Sequence, residues 1–340
     1  MGEKRMRMLY LSCHSICEYE EVKLFTELGH DVLSQGAYKF PDKPQEKSRP
    51  PIPEAYRNEE LQPFLHLAWG DPIPQQLIDW CDVIYILGIE TWLPTNWPRI
   101  KHKHVVWRSI GQAVDRTERV ISKFKPEGLK VVRYSPLETS IPFYAGEDAM
   151  IRFYKDQDEY KGWNGNTGQV ITVAQSMKKR GSFLKFNVFE QATKGFPRKL
   201  YGNGNEDVGA LWGGALSYEE LKETLRANRV FFYTCTWPAM YTMGFQEAWM
   251  TGIPIVAIGS ELAGYKDFGL PIELEVPSMI KNGVNGFTSD SIPELRNYIT
   301  ELLDDHGLAK KVGDEGRKSA IELFGKEKIK SEWKTFFDNL

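Results

Sequence analysis

Residues 230–259 read VFFYTCTWPAMYTMGFQEAWMTGIPIVAIG, and this stretch decides the fold. Residues 230–234 form an apolar, β-rich run that ends at a loop carrying Pro238. Residues 243–250 then give a short helical pattern, stopped by Gly252 and Pro254 because glycine takes the left-handed cap and proline cannot continue a helix. Residues 255–258 follow as a buried strand. Strand, loop, helix, stop and strand in that order belong to an α/β protein. The helix start at Thr242, Met243 and Gly244 faces the carboxyl end of the first strand, so its orphan amides and dipole are open to an anion there. Glu247 lies a turn deeper, too far in for that anion, and suits a neutral hydroxyl pair such as a ribose. An ordinary helix of a parallel sheet with a solvated glutamate is an equal reading of these residues taken alone.

The chain has 340 residues, beyond the usual size of a single core, which favours two domains. Its 41% hydrophobic residues supply proper cores and its 26% charged residues keep it soluble. A net charge of -3 gives no global attraction to nucleic acid or anionic membrane, though it allows a local basic patch. No apolar run approaches the roughly 20 residues that span a bilayer, and residues 1–8 are too basic for a secretory signal, so a cytoplasmic protein is expected. The cysteines at 13, 17, 81 and 235 lack zinc-ligand spacing and read as reduced thiols.

The first half opens as a βαβ unit, with a strand over 7–12, a helix over 18–28 and a Gly29 stop feeding a second strand. Residues 38–74 are rich in proline and charge, including Lys43 and Lys47, and read as a long surface excursion. Further strands are expected over 82–87, 104–107 and 129–134, giving an open parallel sheet. After a linker over about 141–166 the βα rhythm restarts: strand 169–174, helix 183–192, strand 199–201, helix 218–227, then the opening stretch. The expected architecture is α/β, with two doubly wound Rossmann-like domains facing a cleft, residues 1–150 and 151–320. A terminal helix within 321–340, apolar on its Ile329, Trp333, Phe336 and Phe337 face, crosses back to the first domain.

Six segments of the second half stand in the order of a known family: VAQSMKKRG (173–181), KLYGNGNED (199–207), SYEELKETLRANRVFF (217–232), GFQEAWMTGIPIVAIG (244–259), IKNGVNGFTSDSIPEL (280–295) and GDEGRKSAIELFGKEKIKSEWKTFF (313–337). Through them the chain resembles the retaining glycosyltransferases of family 4, which have the GT-B fold. The resemblance covers roughly half the chain and implies transfer of a sugar from a nucleotide-diphosphate sugar, UDP or GDP, without a metal ion or a bound cofactor. It assigns the donor ribose to Glu247 and the distal phosphate to the backbone of Tyr241, Thr242 and Met243. A second glutamate usual in the family stands eight positions earlier, and here that position is Ala239. The family's arginine and lysine for the diphosphate fall on Gln175 and Arg180, so one cation is replaced by an amide and Lys178 or Lys179 becomes a substitute. Leaving-group charge makes at least one cation necessary. The turn Gly202-Asn203-Gly204-Asn205-Glu206 is expected beside the nucleotide base. It does not read as a dinucleotide fingerprint, since no amphipathic helix follows it.

The family pattern fades in the first half. His14, Arg108, Ser109 and Gln112 stand at strand ends and are candidates to face an acceptor, with His14 orienting or deprotonating its hydroxyl. The acceptor is a hydroxyl of a saccharide, a lipid-linked group or a modified base. Two alternatives remain open: a sugar-nucleotide binding protein that has lost transfer, suggested by Ala239 and Gln175, and a viral-type transferase acting on a modified DNA base, disfavoured by the acidic net charge.

Overall fold

Alternation of burial is missing from the first strand: β1 (Arg7–Leu11) is buried at each residue after Arg7, as in a strand covered on both faces. It is followed by α1 (Ser15–Glu27), β2 (Asp31–Ser34), α2 (Gln75–Trp80), β3 (Val83–Leu87), α3 (Trp92–Ile100), β4 (His104–Arg108), α4 (Asp115–Phe124), β5 (Lys130–Arg133) and β6 (Ala149–Met150). The computed structural model describes residues 5–36, 49–111, 114–269 and 272–340. These fall into two compact units, one made of the described chain up to Phe153 together with Glu327–Leu340, the other of Tyr154–Lys326.

In the first unit the strands pair in the order β2-β1-β3-β4-β5-β6, all parallel. The helix α1 begins three residues earlier than the sequence pattern suggests, because His14 caps it: the imidazole Nδ1 accepts from Cys17 N at 3.4 Å. The described part of the excursion corrects the expectation of a surface segment. Its Ile52, Leu61, Leu65 and Ile73 are buried, and the last three join the core that holds Leu9, Ile84 and Trp107. Lys43, Lys47 and Gln112 lie outside the described residues.

The second unit contains β7 (Thr167–Val173), α5 (Phe186–Thr193), β8 (Arg198–Tyr201), β9 (Trp212–Gly214), α6 (Tyr218–Ala227), β10 (Asn228–Tyr233), α7 (Met243–Thr251), β11 (Ile255–Ile258), α8 (Ser260–Ala263), α9 (Val276–Met279), β12 (Phe287–Ser289), α10 (Ile292–Asp304) and α11 (His306–Phe324). Its parallel sheet runs β12-β11-β10-β7-β8-β9. Two glycines of α11 let it lie close to α7, since a Cβ on Gly313 would overlap the Gly252 carbonyl and one on Gly316 would crowd the Trp249 indole. From Glu327 onward α12 (Lys326–Asp338) belongs to the first unit. There Trp333 packs its ring 5.0 Å from Phe25 and 5.2 Å from Phe337. Among the described residues no helix is long and apolar enough to cross a membrane.

Candidate functional site

Strand order in the second unit reverses between β7 and β10: the chain builds outward through β8 and β9, then returns to β10 and goes the other way. Loops leaving the carboxyl ends of such a neighbouring pair diverge and open a crevice, the usual ligand position of an open parallel sheet. The two loops here are 174–185, after β7, and 234–242, after β10.

The first loop is held from below by Asn205, which is fully buried. Its Oδ1 accepts from Met177 N at 2.7 Å, while its Nδ2 donates to Ala174 O at 2.7 Å and Gly202 O at 3.0 Å. Asn203 adds its carbonyl, which accepts from Ser176 N at 2.8 Å. Gly202 has φ +120°, and a Cβ on it would overlap the Ala174 carbonyl oxygen. The turn expected to lie beside a base is therefore also the scaffold of the neighbouring loop. The sequence reading placed Asn205 in this turn without giving it a role of its own, and its scaffold role shows only in the bonds it makes to the neighbouring loop.

On that scaffold Gln175, Lys178, Lys179 and Arg180 are all exposed. Lys178 Nζ donates to the Asp207 carbonyl at 3.1 Å, which ties it to the turn after β8. Arg180 has no carboxylate partner among the described residues, and partial burial pulls its pKa below the ordinary value. A guanidinium in that state gains from any anion that reaches it.

The second loop ends in α7, where Thr242 is the N-cap and its Oγ1 accepts from Phe245 N at 3.3 Å. The amides of Met243 and Gly244 have no intrahelical acceptor. A Cβ on Gly244 would lie 3.8 Å from Val173 O, so the first turn of α7 stands over the end of β7, where the Arg180 loop begins. Tyr241 is buried with its ring 5.2 Å from that of Phe324, leaving its backbone as the part that borders the loop.

Glu247 is 3% exposed. Its Oε1 accepts from Lys155 Nζ at 3.1 Å and from the Tyr160 hydroxyl at 3.2 Å. Lys155 is fully buried, and its amide donates to Phe324 O at 2.9 Å. The carboxylate assigned to a ribose is thus already part of a buried ion pair with a lysine from the segment read as a linker. The apolar run just before that lysine, Ile151 with Phe153 and Tyr154, was the available sign that the segment is interior.

The first-unit candidates sit differently from expectation. Arg108 is fully buried, with Nε 3.3 Å from Glu21 Oε1 and its guanidinium 4.4 Å from the Phe153 ring centre and 5.3 Å from that of Trp333. Tyr10 and Tyr85 donate to the other oxygen of Glu21 at 2.6 and 2.8 Å. Burial still pushes the Glu21 pKa up, against the pull of Arg108. Ser109 is also fully buried and donates to Glu138 Oε1 at 2.8 Å. Neither side chain is open to an acceptor; both are interior because the strand end they occupy is roofed by α12 and by the Glu138 turn. His14 is partly exposed, and its Nδ1 accepts the helix-cap hydrogen bond from Cys17 N at 3.4 Å.

No protein-family model and no curated protein matches the sequence. Solved structures do. The chain superposes on HepE of Anabaena, solved with UDP-glucose, at TM-score 0.69 and 15% identity, over 99% of this chain and 100% of that one. The fold is GT-B. Sucrose-phosphate synthase of Thermosynechococcus elongatus gives 0.68 at 13% identity over 98% and 99% of the two chains. A glycosyltransferase of Rickettsia africae gives 0.66 at 12% identity over 99% and 98%. At such identities the likeness speaks for the GT-B chain path alone.

Proposed function

We propose that this chain is a glycosyltransferase of the retaining family-4 kind, moving a sugar from a nucleoside-diphosphate sugar to a hydroxyl acceptor. The observation that carries the reading is the Arg180 loop and the α7 N-terminus meeting at the ends of β7 and β10. A guanidinium lacking a carboxylate, two orphan amides and a helix dipole at one switch point form a receptor for a diphosphate. HepE was solved with UDP-glucose, which makes UDP the first nucleotide to test and GDP the second.

As the anomeric bond breaks, charge grows on the departing diphosphate, and Arg180 with the amides of Met243 and Gly244 takes it up. The acceptor hydroxyl attacks from the same face, its proton passing to the leaving phosphate oxygen, and the anomeric configuration is kept. The neutralising cation is assigned to Arg180 and not to a divalent ion. A cytoplasmic location belongs to the same proposal.

The test is a thermal shift with UDP and GDP. Free nucleotide at a hundredfold its Kd stabilises the folded state by about 2.7 kcal/mol. Arg180→Ala should remove most of the shift. An unchanged melting temperature with both nucleotides would refute the reading. A sugar-nucleotide binder without transfer is favoured by Ala239, by the exposed Gln175 and by the Lys155 pairing of Glu247. Release of nucleotide from a panel of donor sugars, with acceptor sugars supplied, decides between the two.

A further inference from the structure

An aromatic pair joins the two loops at the same switch point. Phe183 ends the 3-10 turn Gly181–Phe183, three residues after Arg180. Trp237 lies in the other loop, two residues before Ala239. The rings stack at 5.3 Å with their planes 20° apart. The backbones are joined too, since Trp237 N donates to Phe183 O at 2.9 Å. Phe183 nonetheless remains 40% exposed, among the most exposed large apolar side chains described.

We propose that Phe183 and Trp237 form a platform for the pyranose ring of the donor, selecting a neutral hexose; this rests on the diphosphate site proposed above. A sugar bonded to the distal phosphate begins one bond beyond it, and Phe183 stands three residues after Arg180 on one loop, while Ala239 and Trp237 stand three and five residues before Thr242 on the other. Ala239 puts a methyl where the resembling family has a carboxylate, so hydroxyl recognition by an acid is missing at that point. The local loop is otherwise fixed: the Tyr265 hydroxyl donates to Ala239 O at 2.6 Å, and Glu275 N donates to Met240 O at 2.8 Å. What remains at the surface is an aromatic face. Such a face is electron-rich, and the C–H groups on one side of a hexopyranose carry the complementary partial charge. A solvent-exposed phenyl ring held flat by a second ring, beside the diphosphate receptor, matches that chemistry.

The experiment is isothermal titration of the full chain with two probes, UDP and UDP-glucose, or GDP and GDP-mannose if the wild type prefers guanine. The variants are Phe183→Leu, Phe183→Ala and Trp237→Phe, each checked for an unchanged melting temperature. Because Phe183 is exposed, replacing it leaves the interior intact. Both Phe183 variants should weaken the hexose conjugate by about three- to tenfold, the range of one aromatic contact, and leave the bare diphosphate within about twofold. Trp237→Phe keeps an aromatic face and should retain affinity for the conjugate. Equal weakening of both probes would mean that the pair only braces the loops, and an unaffected conjugate would mean that the sugar lies elsewhere; either result overturns the platform. If neither nucleotide binds the wild type, the diphosphate site itself is wrong and the platform falls with it.

Discussion

Glu247 shows how one side chain serves two readings. Its carboxylate sits 3.1 Å from the ammonium of Lys155, and the two side chains are 4% and 0% exposed. Glu247→Ala would leave Lys155 buried without this carboxylate, and breaking such a pair costs about 3–5 kcal/mol. Urea denaturation should register that loss, and Lys155→Met placed on top of it should recover a large part, giving a positive coupling in a double-mutant cycle. The alanine variant is consequently a poor probe of ribose binding. Glu247→Gln is a better one, because its amide oxygen still accepts from Lys155 and Tyr160. A reduced UDP-induced thermal shift in the Gln variant, with a smaller loss of stability than in the Ala variant in the absence of nucleotide, is the expected outcome for a ribose ligand. The glutamate itself was legible from its place ahead of the Gly-x-Pro stop. Its lysine partner stands 92 positions earlier, and no local pattern links the two.

Among the elements, α7 and its flanking loops were the most legible. The cap at Thr242, the left-handed Gly252 and the strand that follows all sit where the sequence pattern places them. Capping and termination use contacts within a few residues, so they leave local signatures. Thr242→Ala should cost about 1 kcal/mol of stability through the lost cap. Gly202→Ala should do more at a distance: its φ of +120° and the Ala174 carbonyl behind it force the turn to move. Strain of this kind costs about 1–3 kcal/mol. Because the turn carries the Arg180 loop, a drop in UDP affinity is expected alongside the lower melting temperature, both readable in one thermal-shift titration. The segment after residue 48 was the least legible element. Its prolines and charges hid Ile52, Leu61, Leu65 and Ile73, which are too widely spaced to show a period and enter the core one by one.

On the scale of the whole molecule, the first unit is closed by the end of the chain. Trp333 is fully buried, stacks on Phe337 and lies 5.3 Å from the Arg108 guanidinium, so the buried Arg108–Glu21 pair has a roof that arrives last in sequence. Ending the chain at Lys326 removes that roof. Loss of one buried tryptophan costs about 3–5 kcal/mol, before the exposed ion pair is counted. Hydrogen exchange on the truncated protein should show protection lost in β1, β3 and β4 while β7, β10 and β11 keep theirs. Equal loss in both sheets would contradict a separate core for each unit.

By itself the sequence determined two parallel α/β sheets, the helix punctuation around α7 and the loops that leave the ends of β7 and β10, because hydrophobic period, caps and Gly/Pro stops act over a few residues. Only the tertiary structure decided which polar groups are open to a ligand. Arg108 and Ser109 sit at a strand end, as expected, yet are sealed by Glu21, Glu138 and α12, while Phe183 and Trp237 meet across the β7/β10 switch point. The cause is strand order: residues remote in the chain become neighbours once the sheet is wound, and burial then sets which charges must be paired and which stay exposed.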